Sequence, residues 1–598
     1  MTILIFLLCL LPLAICLYFR HIYTPAGIQS GIWAFLIGVL VLFFNDTITL
    51  KYNGLIFIIS SVAIFTAGSL IADKFIENKI VEHKVFFNNR LAIQILTIII
   101  LFGFVNPIYQ IYANGFSLLD MLGREKWHNM VYQMTYNRYT NEEKSYSTIA
   151  QLFLTFAYCA PLLGGYCWFL TKNKFQKILT IISITPCFFI TLTQSSKMQM
   201  IVAIFLWATG FLVCKYTNNI NFKITIKTFA ISLSVIFTIL ALSFLTMLMR
   251  ASEIDSKLID RQKVHLVEYA LGSLPCFDHW FSTNYNIDKS TSLLMSANIY
   301  PTTKKSSDTI LTKSDIKKRT ILIDFGEPHK SNWVEVYGKQ DKSANYKPNT
   351  NYNVQIDVSS DVKPQSVFFS VWNDKQKHYS VELKQIDTIA TDKWHFCGSF
   401  TVPETREYNR TPDFVFRVNG SSYLELSKMI IDSSTTPQKW TPKQSNLFFY
   451  EQADTPLSLG LKTFYGITNH FTTKKREQGI YKDYVYFYKN DSANGSNVYT
   501  VFRILVEDFG KIGTLIFMFL LGFISNYAIK MIQKRKYTAL FQTILSSIYI
   551  FVMWGIVTSI WAYTSIVCTF ILFFIIMYVL QNKSITNWYK TVFENKTI

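Results

Sequence analysis

The chain has 598 residues, of which 50% are hydrophobic, 16% aromatic and only 16% charged, and its mean hydropathy is +0.22. This composition excludes an ordinary large soluble enzyme and is typical of a protein whose solvent is lipid. The formal net charge of +19 would suggest nucleic-acid binding in a soluble chain. Here, however, lysine and arginine concentrate in short segments between apolar runs, without a nucleic-acid motif, so we expect membrane lipid and no nucleic acid as partners.

Apolar runs recur along the chain, and most approach the about 20 residues that a helix needs to cross a bilayer. They occupy residues 3–19, 27–44, 54–72, 91–112, 149–170, 178–193, 198–214, 228–249 and 512–529, and 540–580 is long enough for two more. We therefore predict about eleven transmembrane helices. The first run has no basic residue before it and no clear cleavage site, so we expect a retained helix and not a signal peptide.

The basic residues of alternate loops predict the orientation. They are Arg20; Lys74, Lys79, Lys84 and Arg90; Lys172, Lys174 and Lys177; Lys215, Lys223 and Lys227; and Lys530, Lys534, Arg535 and Lys536. Positively charged loops stay in the cytoplasm, so the N-terminus and the long region 250–511 face outward and the C-terminal tail faces the cytoplasm. The predicted spans contain no charged residue or histidine, which argues against an ion-coupled transporter.

One polar insert separates the predicted membrane helices, giving three domains: 1–298, 299–442 and 443–598. The insert contains short runs rich in Val, Ile, Phe, Tyr and Thr, separated by Gly, Pro, Asn, Asp and Ser. These runs are RTILIDFG, NWVEVYGK, NYNVQIDVSS, SVFFSVWN, HYSVELKQI, KWHFCGSFTV, DFVFRVNG and YLELSKMII. About eight strands in this length predict a two-sheet jelly roll. Cys276 and Cys397 lie in the polar region, but the sequence does not decide whether they pair.

The end of the insert, KMIIDSSTTPQKWTP at 428–442, resembles the closing strand and exit of jelly-roll carbohydrate-binding modules. Such modules bind sugars through exposed aromatic rings. The candidates for sugar stacking are Trp333, Trp372, Tyr379 and Trp394. The alternative for each ring is a place in the core of a small sandwich.

Polar groups concentrate at three predicted outer membrane boundaries. Lys197 in TQSSKMQM begins a predicted helix, where its charge adds to the positive end of the helix dipole. Arg250 closes the eighth predicted span, and Arg261 and His265 follow about one helical turn apart. An arginine fork can hold phosphate through two parallel hydrogen bonds, so this second boundary is a candidate anion site.

The third boundary is NVYTVFRILVEDFGKIG at 497–513, immediately before the ninth predicted span. Tyr499, Arg503 and Glu507 recur every four residues and are expected to share one helix face. Such a face could bind a phosphate head group and orient an attacking hydroxyl. Asp508 belongs either to this site or to the turn around Phe509 and Gly510.

Five segments together resemble the Wzy-type polymerases that extend O-antigens and capsules. They are the SSK segment at 195–197, Arg250, EYALGSLPCFDHW at 268–280, GLKTFYGI at 460–467 and NVYTVFRILVEDFGKIG. The resemblance implies a GT-C-like, multi-pass glycosyltransferase of the bacterial inner membrane, with its active site facing outward. It would transfer a growing glycan from undecaprenyl diphosphate onto another lipid-linked repeat unit, and a chain-length regulator protein is a further expected partner. The insert at 299–442 departs from the family pattern.

The same resemblance guides the assignment of site residues. The expected diphosphate clamp is Arg250 and Arg503, with Lys197 and Arg261 in support, and the wider substrate-binding set adds His265, Asn497, Tyr499 and Thr500. The general base is sought among His265, His279, His470, Glu507 and Asp508, with the acidic pair and His470 ranked first. A late proton loss that needs no strong base stays open.

No metal or cofactor is expected, because a lipid diphosphate is already a leaving group and no D-x-D motif is present. The alternative functions are an O-antigen ligase, a lipid-linked glycan flippase or exporter, and a glycan sensor without catalysis. A strain that lacks the gene distinguishes a polymerase from a ligase. Purified protein that translocates lipid-linked repeats without lengthening them would indicate a flippase or exporter, and unchanged polymer length in Arg250→Ala and Arg503→Ala would indicate a sensor.

Overall fold

The structure is a computed structural model of the whole chain. It describes residues 1–76, 86–140, 148–220, 241, 271–283, 458–471 and 498–585, together with strands and short turns between 292 and 452 and at 485–486 and 495–496. The architecture is a bundle of apolar helices with an antiparallel β-sheet inserted in the chain.

Most helices of the described part follow the apolar runs, and the exceptions are Arg124–Thr140 and Ser273–Thr283. They are α1 Thr2–Tyr18, α2 Pro25–Phe43, α3 Asn53–Phe75, α4 Asn89–Ala113, α5 Arg124–Thr140, α6 Thr148–Cys167, α7 Lys174–Ile182, α8 Thr185–Gln194, α9 Lys197–Thr217, α10 Ser273–Thr283, α11 Val501–Gln533, α12 Thr538–Trp554 and α13 Thr564–Gln581. A single turn, Tyr465–Thr468, and the short helices Leu118–Leu122 and Ile560–Ala562 complete the set.

Eight of these spans are long and apolar enough to cross a membrane, counted within the residues that the structure describes, with α7 and α8 forming one of them. Two shorter apolar helices, α1 and α12, lie where further spans are predicted. The predicted run 228–249 lies outside the described residues, apart from residue 241. The multi-pass character is thus confirmed, and the number of eleven stays a prediction.

Close helix contacts depend on small residues, as is common among membrane helices. A Cβ atom added to Gly522 of α11 would lie 2.0 Å from the carbonyl oxygen of Phe65 on α3, and one added to Gly68 would lie 2.2 Å from that of Phe519. The side-chain amide of Asn526 donates to the carbonyl of Ser69 at 2.9 Å across the same contact. Helices α3 and α11 therefore form a tightly packed pair.

The outer surfaces of the helices carry large apolar side chains. Leu7, Leu101, Ile516 and Ile571 are all more than half exposed, although each lies on a different helix. Exposed apolar side chains on so many helices would make a soluble protein aggregate, whereas hydrocarbon solvates them. This surface agrees with a membrane protein.

Several loops that carry the predicted cytoplasmic charges meet at one end of the bundle. His21 Nε2 lies 3.4 Å from Asp73 Oδ2, and Lys530 at the end of α11 forms an ion pair with the same carboxylate. At this end Arg535 also donates to the carbonyl of Thr217, the last residue of α9. Because α3 and α11 both end here, their first residues lie at the opposite end of the bundle.

The insert forms β1 Ser292–Leu293, β2 Met295–Tyr300, β3 Asp308–Thr309, β4 Thr312–Asp315, β5 Thr320–Asp324, β6 Trp333–Gly338, β7 Asn351–Ser360, β8 Ser366–Trp372, β9 His378–Ala390, β10 Lys393–Thr401, β11 Asp413–Arg417, β12 Tyr423–Asp432 and β13 Glu451–Gln452. Two further short strands, β14 Val485–Tyr486 and β15 Gly495–Ser496, pair with each other. All eight predicted runs coincide with strands, β5 to β12. The larger sheet has the order β3-β2-β6-β11-β8-β9-β10-β7-β12-β5-β4, with antiparallel neighbours.

Alternation along β7 and β10 places one row of side chains in the core of the sheet. Val354, Ile356 and Val358 of β7 are buried, and Trp394 and Phe396 of β10 pack on the same face. The opposite face of β7 carries a buried carboxylate, since Asp357 Oδ1 lies 2.6 Å from His395 Nδ1.

The two cysteines of the polar region do not form a disulfide with each other. The thiol of Cys276 is buried and donates to the carbonyl of Ser496 at 3.1 Å. Cys397 lies on β10 of the sheet. The question that the sequence left open is thus decided against a bridge.

Candidate functional site

The first turns of α11 carry the polar residues of the third predicted boundary. Gly510 has φ 69° and ψ 178°, a backbone conformation that is closed to residues with a Cβ atom, so it interrupts the helix. The segment 501–509 is therefore a short arm that precedes the longer apolar segment. Its first turn is held by a hydrogen bond of 2.8 Å from the N–H of Val501 to the carbonyl of Gly555, after α12.

Arg503 lies inside this arm with 1% of its side chain exposed. Its Nε donates to Glu507 Oε1 at 2.9 Å, one helical turn later. The guanidinium carbon lies 4.1 Å from the ring centre of Tyr499 and 5.0 Å from that of Trp280. Two aromatic faces and one carboxylate thus stabilise a cation that is removed from water.

The helix-face prediction is confirmed for Arg503 and Glu507, which form an ion pair at i, i+4. Tyr499 precedes the helix, since Thr500 is its N-cap residue, yet the tyrosine ring still reaches the guanidinium. Thr500 is fully buried. Its role in substrate binding stays a prediction.

Lys462 supplies a second cation from a distant segment. Its Nζ donates to Glu507 Oε2 at 2.8 Å, so each oxygen of the carboxylate receives one cationic donor. The side chain of Lys462 is 31% exposed, whereas that of Glu507 is 3% exposed. In this cluster of Arg503, Glu507 and Lys462, hereafter the charge cluster, the lysine is the most exposed to solvent.

Asp508 is fully buried and holds the loop that carries Lys462. Its Oδ2 accepts the N–H of Thr463 at 2.6 Å, and its Oδ1 accepts the N–H of Lys462 at 3.1 Å and the hydroxyl of Ser458. The N–H of Leu459 also donates to the carbonyl of Asp508 at 3.0 Å. A carboxylate with this many donors fixes the loop 458–463 against the arm.

The same loop contacts the connection between α12 and α13. The rings of Phe464 and Trp561 stack with their centres 5.3 Å apart, and Ser559 Oγ donates to the carbonyl of Thr463 at 2.8 Å. A Cβ atom on Gly466 would lie 2.7 Å from the carbonyl oxygen of Trp561, so only glycine fits there. The GLKTFYGI segment therefore packs between the start of α11 and the connection from α12 to α13.

The segment CFDHW on α10 contributes a further contact to Arg503, through Trp280. Asp278 accepts the backbone N–H groups of Lys51, Tyr52 and Gly54 at 2.6, 2.8 and 2.8 Å, and so caps the start of α3. The cap holds α10 in place, and α10 carries Trp280 to Arg503.

His279, the next residue of α10, is buried beside the same loop. Its Nε2 lies 2.8 Å from the carbonyl oxygen of Thr49. Burial lowers the pKa of His279, which favours the neutral ring. A ring that is enclosed and bonded to the backbone in this way is a structural group, so we no longer count His279 among the candidate bases.

The remaining predicted residues are placed as follows. Lys197 is the first residue of α9 and lies two positions after Ser195, which has φ 50°. His470 is exposed at the end of the loop 458–471. Trp394 is only 6% exposed and lies in the sheet core, which is the alternative to sugar stacking. Arg250, Arg261, His265, Asn497 and the side chains of Trp333, Trp372 and Tyr379 lie outside the described part of the chain.

The structure thus joins Arg503, Glu507, Asp508 and Tyr499, and it adds Lys462, Trp280 and Asp278. The segments of these three added residues stand out in the sequence, but no pattern assigns the residues a role. Lys462 and Glu507 are 45 positions apart, and Asp278 and Gly54 are 224 apart. Among the described residues, no group of three or more His, Cys, Asp or Glu side chains could hold a metal ion.

No protein-family model matches the chain, and no curated protein matches it. A solved structure described as "CBM4 structure and function" is 11% identical, and the match covers 21% of this chain and 74% of that chain with a TM-score of 0.14. A second is the CBM22-1 and GH10 modules of an endo-1,4-beta-D-xylanase from Clostridium thermocellum complexed with xylohexaose; it is 10% identical, and the match covers 19% of this chain and 24% of that chain with a TM-score of 0.13. TM-scores this low assign neither a fold nor a function.

Proposed function

We propose that the protein is a Wzy-type polysaccharide polymerase of the bacterial inner membrane. It transfers a growing glycan from undecaprenyl diphosphate onto the sugar of another lipid-linked repeat unit, at the outer face of the membrane. The sequence resemblance at 195–197, 268–280, 460–467 and 497–513 motivates the choice of family. The charge cluster is the structural observation that supports it best.

The position of the charge cluster fits this function. It lies at the start of α11, whereas the basic loops meet at the other end of the bundle. If the basic loops are cytoplasmic, the cluster lies at the outer boundary, where a lipid diphosphate presents its head group after translocation. Cations held in an aromatic, largely dry setting interact strongly with phosphate.

In the proposed reaction, a hydroxyl oxygen of the acceptor sugar attacks the anomeric carbon of the growing glycan. The bond from that carbon to the diphosphate oxygen breaks, and the electron pair leaves with the diphosphate. Cationic side chains stabilise the developing negative charge, which is the effect that usually contributes most in such sites. Arg250, with Lys197 and Arg261 in support, is proposed to hold the diphosphate, and Arg503 adds its positive charge from its buried position.

The acceptor proton passes to a general base or leaves late without one. Glu507 is our first candidate, because Arg503 orients it and Lys462 is partly exposed beside it. Asp508 has its oxygens occupied by the loop 458–463. We therefore propose a positioning role for Asp508 and keep His470 as the alternative base.

The insert is proposed to be a jelly-roll module that acts as a spacer or binds the glycan weakly. Trp333, Trp372 and Tyr379 are its candidate sugar platforms. A chain-length regulator protein is the proposed protein partner. Binding of the purified full-length protein to its own polymer, compared with a W372A variant, would test the glycan-binding role.

A strain that lacks this gene tests the function. Loss of the ladder of polymer lengths, with a single repeat still attached, is expected for a polymerase, and complementation with the wild-type gene or with the exposed-loop variant Lys536→Ala restores the ladder. Loss of all attached glycan would instead indicate a ligase. Purified protein that translocates lipid-linked repeats without lengthening them would indicate a flippase.

The orientation has its own test. Reporter fusions after residues 283 and 471 should be active outside the cytoplasm, and fusions after residues 76 and 536 inside it. Fusions that report residue 471 as cytoplasmic would contradict the proposed outward site.

A further inference from the structure

We propose that Lys462 is the cation of the charge cluster that contacts the anionic group of the ligand, and that this contact releases one oxygen of Glu507 to accept a proton. The identity of the anion as a diphosphate rests on the function proposed above. The roles of the three side chains rest on their contacts and burial.

The two cations of the charge cluster differ in how much of each side chain is exposed to solvent. Arg503 is 1% exposed, and its guanidinium is enclosed by Glu507, Tyr499 and Trp280. Its side chain therefore offers almost no surface to a ligand. Lys462 is 31% exposed and carries its ammonium on a flexible four-carbon stem. The lysine can therefore turn toward a ligand while the arginine stays in place.

The charges of the cluster favour an arriving anion. Arg503 and Lys462 are cationic and both bind the carboxylate of Glu507, so the formal charges of these three side chains sum to +1. The negative charge of the neighbouring Asp508 is already stabilised by the N–H groups of Lys462 and Thr463 and by the hydroxyl of Ser458. With Asp508 the formal charges of the four side chains sum to zero, but both carboxylates are buried, so the charge that solvent and a ligand meet is the ammonium of Lys462. Lysine is a common point-charge ligand of phosphate.

Movement of Lys462 changes the hydrogen-bond donors that the carboxylate of Glu507 accepts. In the present arrangement both carboxylate oxygens accept a cationic donor, at 2.9 Å from Arg503 and 2.8 Å from Lys462. When the ammonium turns to the diphosphate, Oε2 loses this cationic donor while Oε1 stays held by Arg503. The carboxylate keeps its orientation and exposes a lone pair, so the acceptor hydroxyl can give its proton to Oε2 as its oxygen bonds to the anomeric carbon.

Departure of the diphosphate then completes the reaction. The bond between the anomeric carbon and the diphosphate oxygen breaks, the electron pair stays on that oxygen, and Lys462 stabilises the added negative charge. Ligand binding and base activation are thereby coupled through one side chain. A repeat unit that lacks the diphosphate would leave Glu507 paired and inactive.

The side chain of Lys462 can be changed without releasing the loop. Its backbone N–H, and that of Thr463, donate to Asp508 whatever side chain residue 462 carries. The carbonyl of Thr463 is held separately by Ser559 Oγ at 2.8 Å. Lys462→Gln and Lys462→Arg are therefore informative variants, and Lys536→Gln, on an exposed loop at the opposite end, is the matched control.

The test measures binding of inorganic pyrophosphate to the purified full-length protein in detergent by calorimetry. We expect Lys462→Gln to raise the dissociation constant at least about tenfold, Lys462→Arg to stay within about threefold, and Lys536→Gln to be unchanged. Equal thermal stability of the three variants shows that folding is preserved. Wild-type protein that does not bind pyrophosphate, or Lys462→Gln that binds it as the wild type does, would overturn the inference.

Turnover with lipid-linked repeats gives the second readout. Lys462→Gln should raise KM for the lipid diphosphate and also lower kcat, because both binding and base release depend on the ammonium. An unchanged KM would contradict the inference even if the protein is a polymerase. Conversely, pyrophosphate binding that depends on Lys462 in a protein that forms no polymer would retain the anion site and refute the proposed function.

Discussion

The carboxylate of Asp278 on α10 accepts the backbone N–H of Gly54 on α3 at 2.8 Å, although 224 residues separate the two. The N–H groups of Lys51 and Tyr52 bind the same carboxylate. A cap that normally comes from the residue before the helix is here supplied by another helix. Because α10 also carries Trp280, this cap fixes one wall of the charge cluster.

Removing the cap should destabilise the protein. Asp278→Ala leaves three backbone donors without their acceptor, and we expect a loss of about 2–3 kcal/mol in the free energy of unfolding. Thermal unfolding of the detergent-solubilised protein measures this change. Asp46→Ala, in the exposed loop between α2 and α3, is the matched control and should unfold at the wild-type temperature. Equal stability of the two variants would show that the cap contributes little.

The neighbouring histidine predicts a dependence on pH. Burial lowers the pKa of His279 below its ordinary 6.5, so between the two values the unfolded chain binds a proton that the folded chain does not. This contribution to stability is complete above about pH 6.5 and is lost as the pH falls below it. Melting temperatures should therefore drop from about pH 8 to pH 5. The drop should be smaller in His279→Gln, whose amide can still donate to Thr49.

The comparison of these two proteins isolates the buried ring on α10. His21 is partly buried and also has a lowered pKa, but it is present in the wild type and in His279→Gln alike. Identical slopes of melting temperature against pH would show that His279 does not titrate in this range.

The tight packing of α3 on α11 predicts a large effect of a small change. Gly522→Ala places a methyl group 2.0 Å from the carbonyl oxygen of Phe65, so the helices must separate. We expect a loss of about 1–3 kcal/mol in unfolding free energy, seen as a lower melting temperature. Gly31→Ala on α2 is the control, because its Cβ atom would meet nothing within 4 Å. A Gly522→Ala protein as stable as Gly31→Ala would show that the bundle adjusts freely.

Arg503 and Glu507 should be needed for both folding and activity. Arg503→Met removes a cation that contacts two aromatic rings and takes one cationic donor from the buried Glu507, at an expected cost of about 3–5 kcal/mol. Arg503→Lys keeps the charge but loses the planar contact with Tyr499 and Trp280, so it should be more stable than Arg503→Met while polymer synthesis stays impaired. Immunoblots of polymer, normalised to protein in the membrane, separate the two effects. Full polymer length in Arg503→Met would exclude the proposed clamp.

Asp508 should act through the loop and not through the ligand. In Asp508→Asn one oxygen becomes an amide, so the N–H groups of Lys462 and Thr463 lose part of their acceptor. Hydrogen exchange at these two amides should accelerate about tenfold or more, while exchange in α3 stays unchanged. Ser458→Ala removes one donor only and should produce a smaller effect. Unchanged exchange in Asp508→Asn would mean that other contacts hold the loop.

Hydropathy predicted the helices well, because lipid imposes a length and a composition that are visible in the sequence. The run 54–72 became α3, and all eight strand-like runs of the insert became strands. Local spacing likewise predicted the pair of Arg503 and Glu507, one turn apart on a helix.

Sequence patterns could not predict the residues that complete the site. Lys462 reaches Glu507 from 45 positions away, and Asp278 reaches α3 from much further, so neither contact has a periodic signal. The sequence allowed two places for Trp394, either in the core of the sheet or exposed for stacking on a sugar. Its burial shows that it lies in the core. Contacts between residues so far apart in the chain arise only when the helices pack.

The break at Gly510 has a mechanical consequence. Regular helical geometry is interrupted there, so we expect that tilting of the apolar segment 511–533 with bilayer thickness would not be transmitted rigidly to residues 501–509. The short arm takes its orientation from Gly555 and from the Ser458 loop instead. The membrane segment 511–533 can therefore adjust its tilt to the lipid, while contacts within the protein set the orientation of residues 501–509.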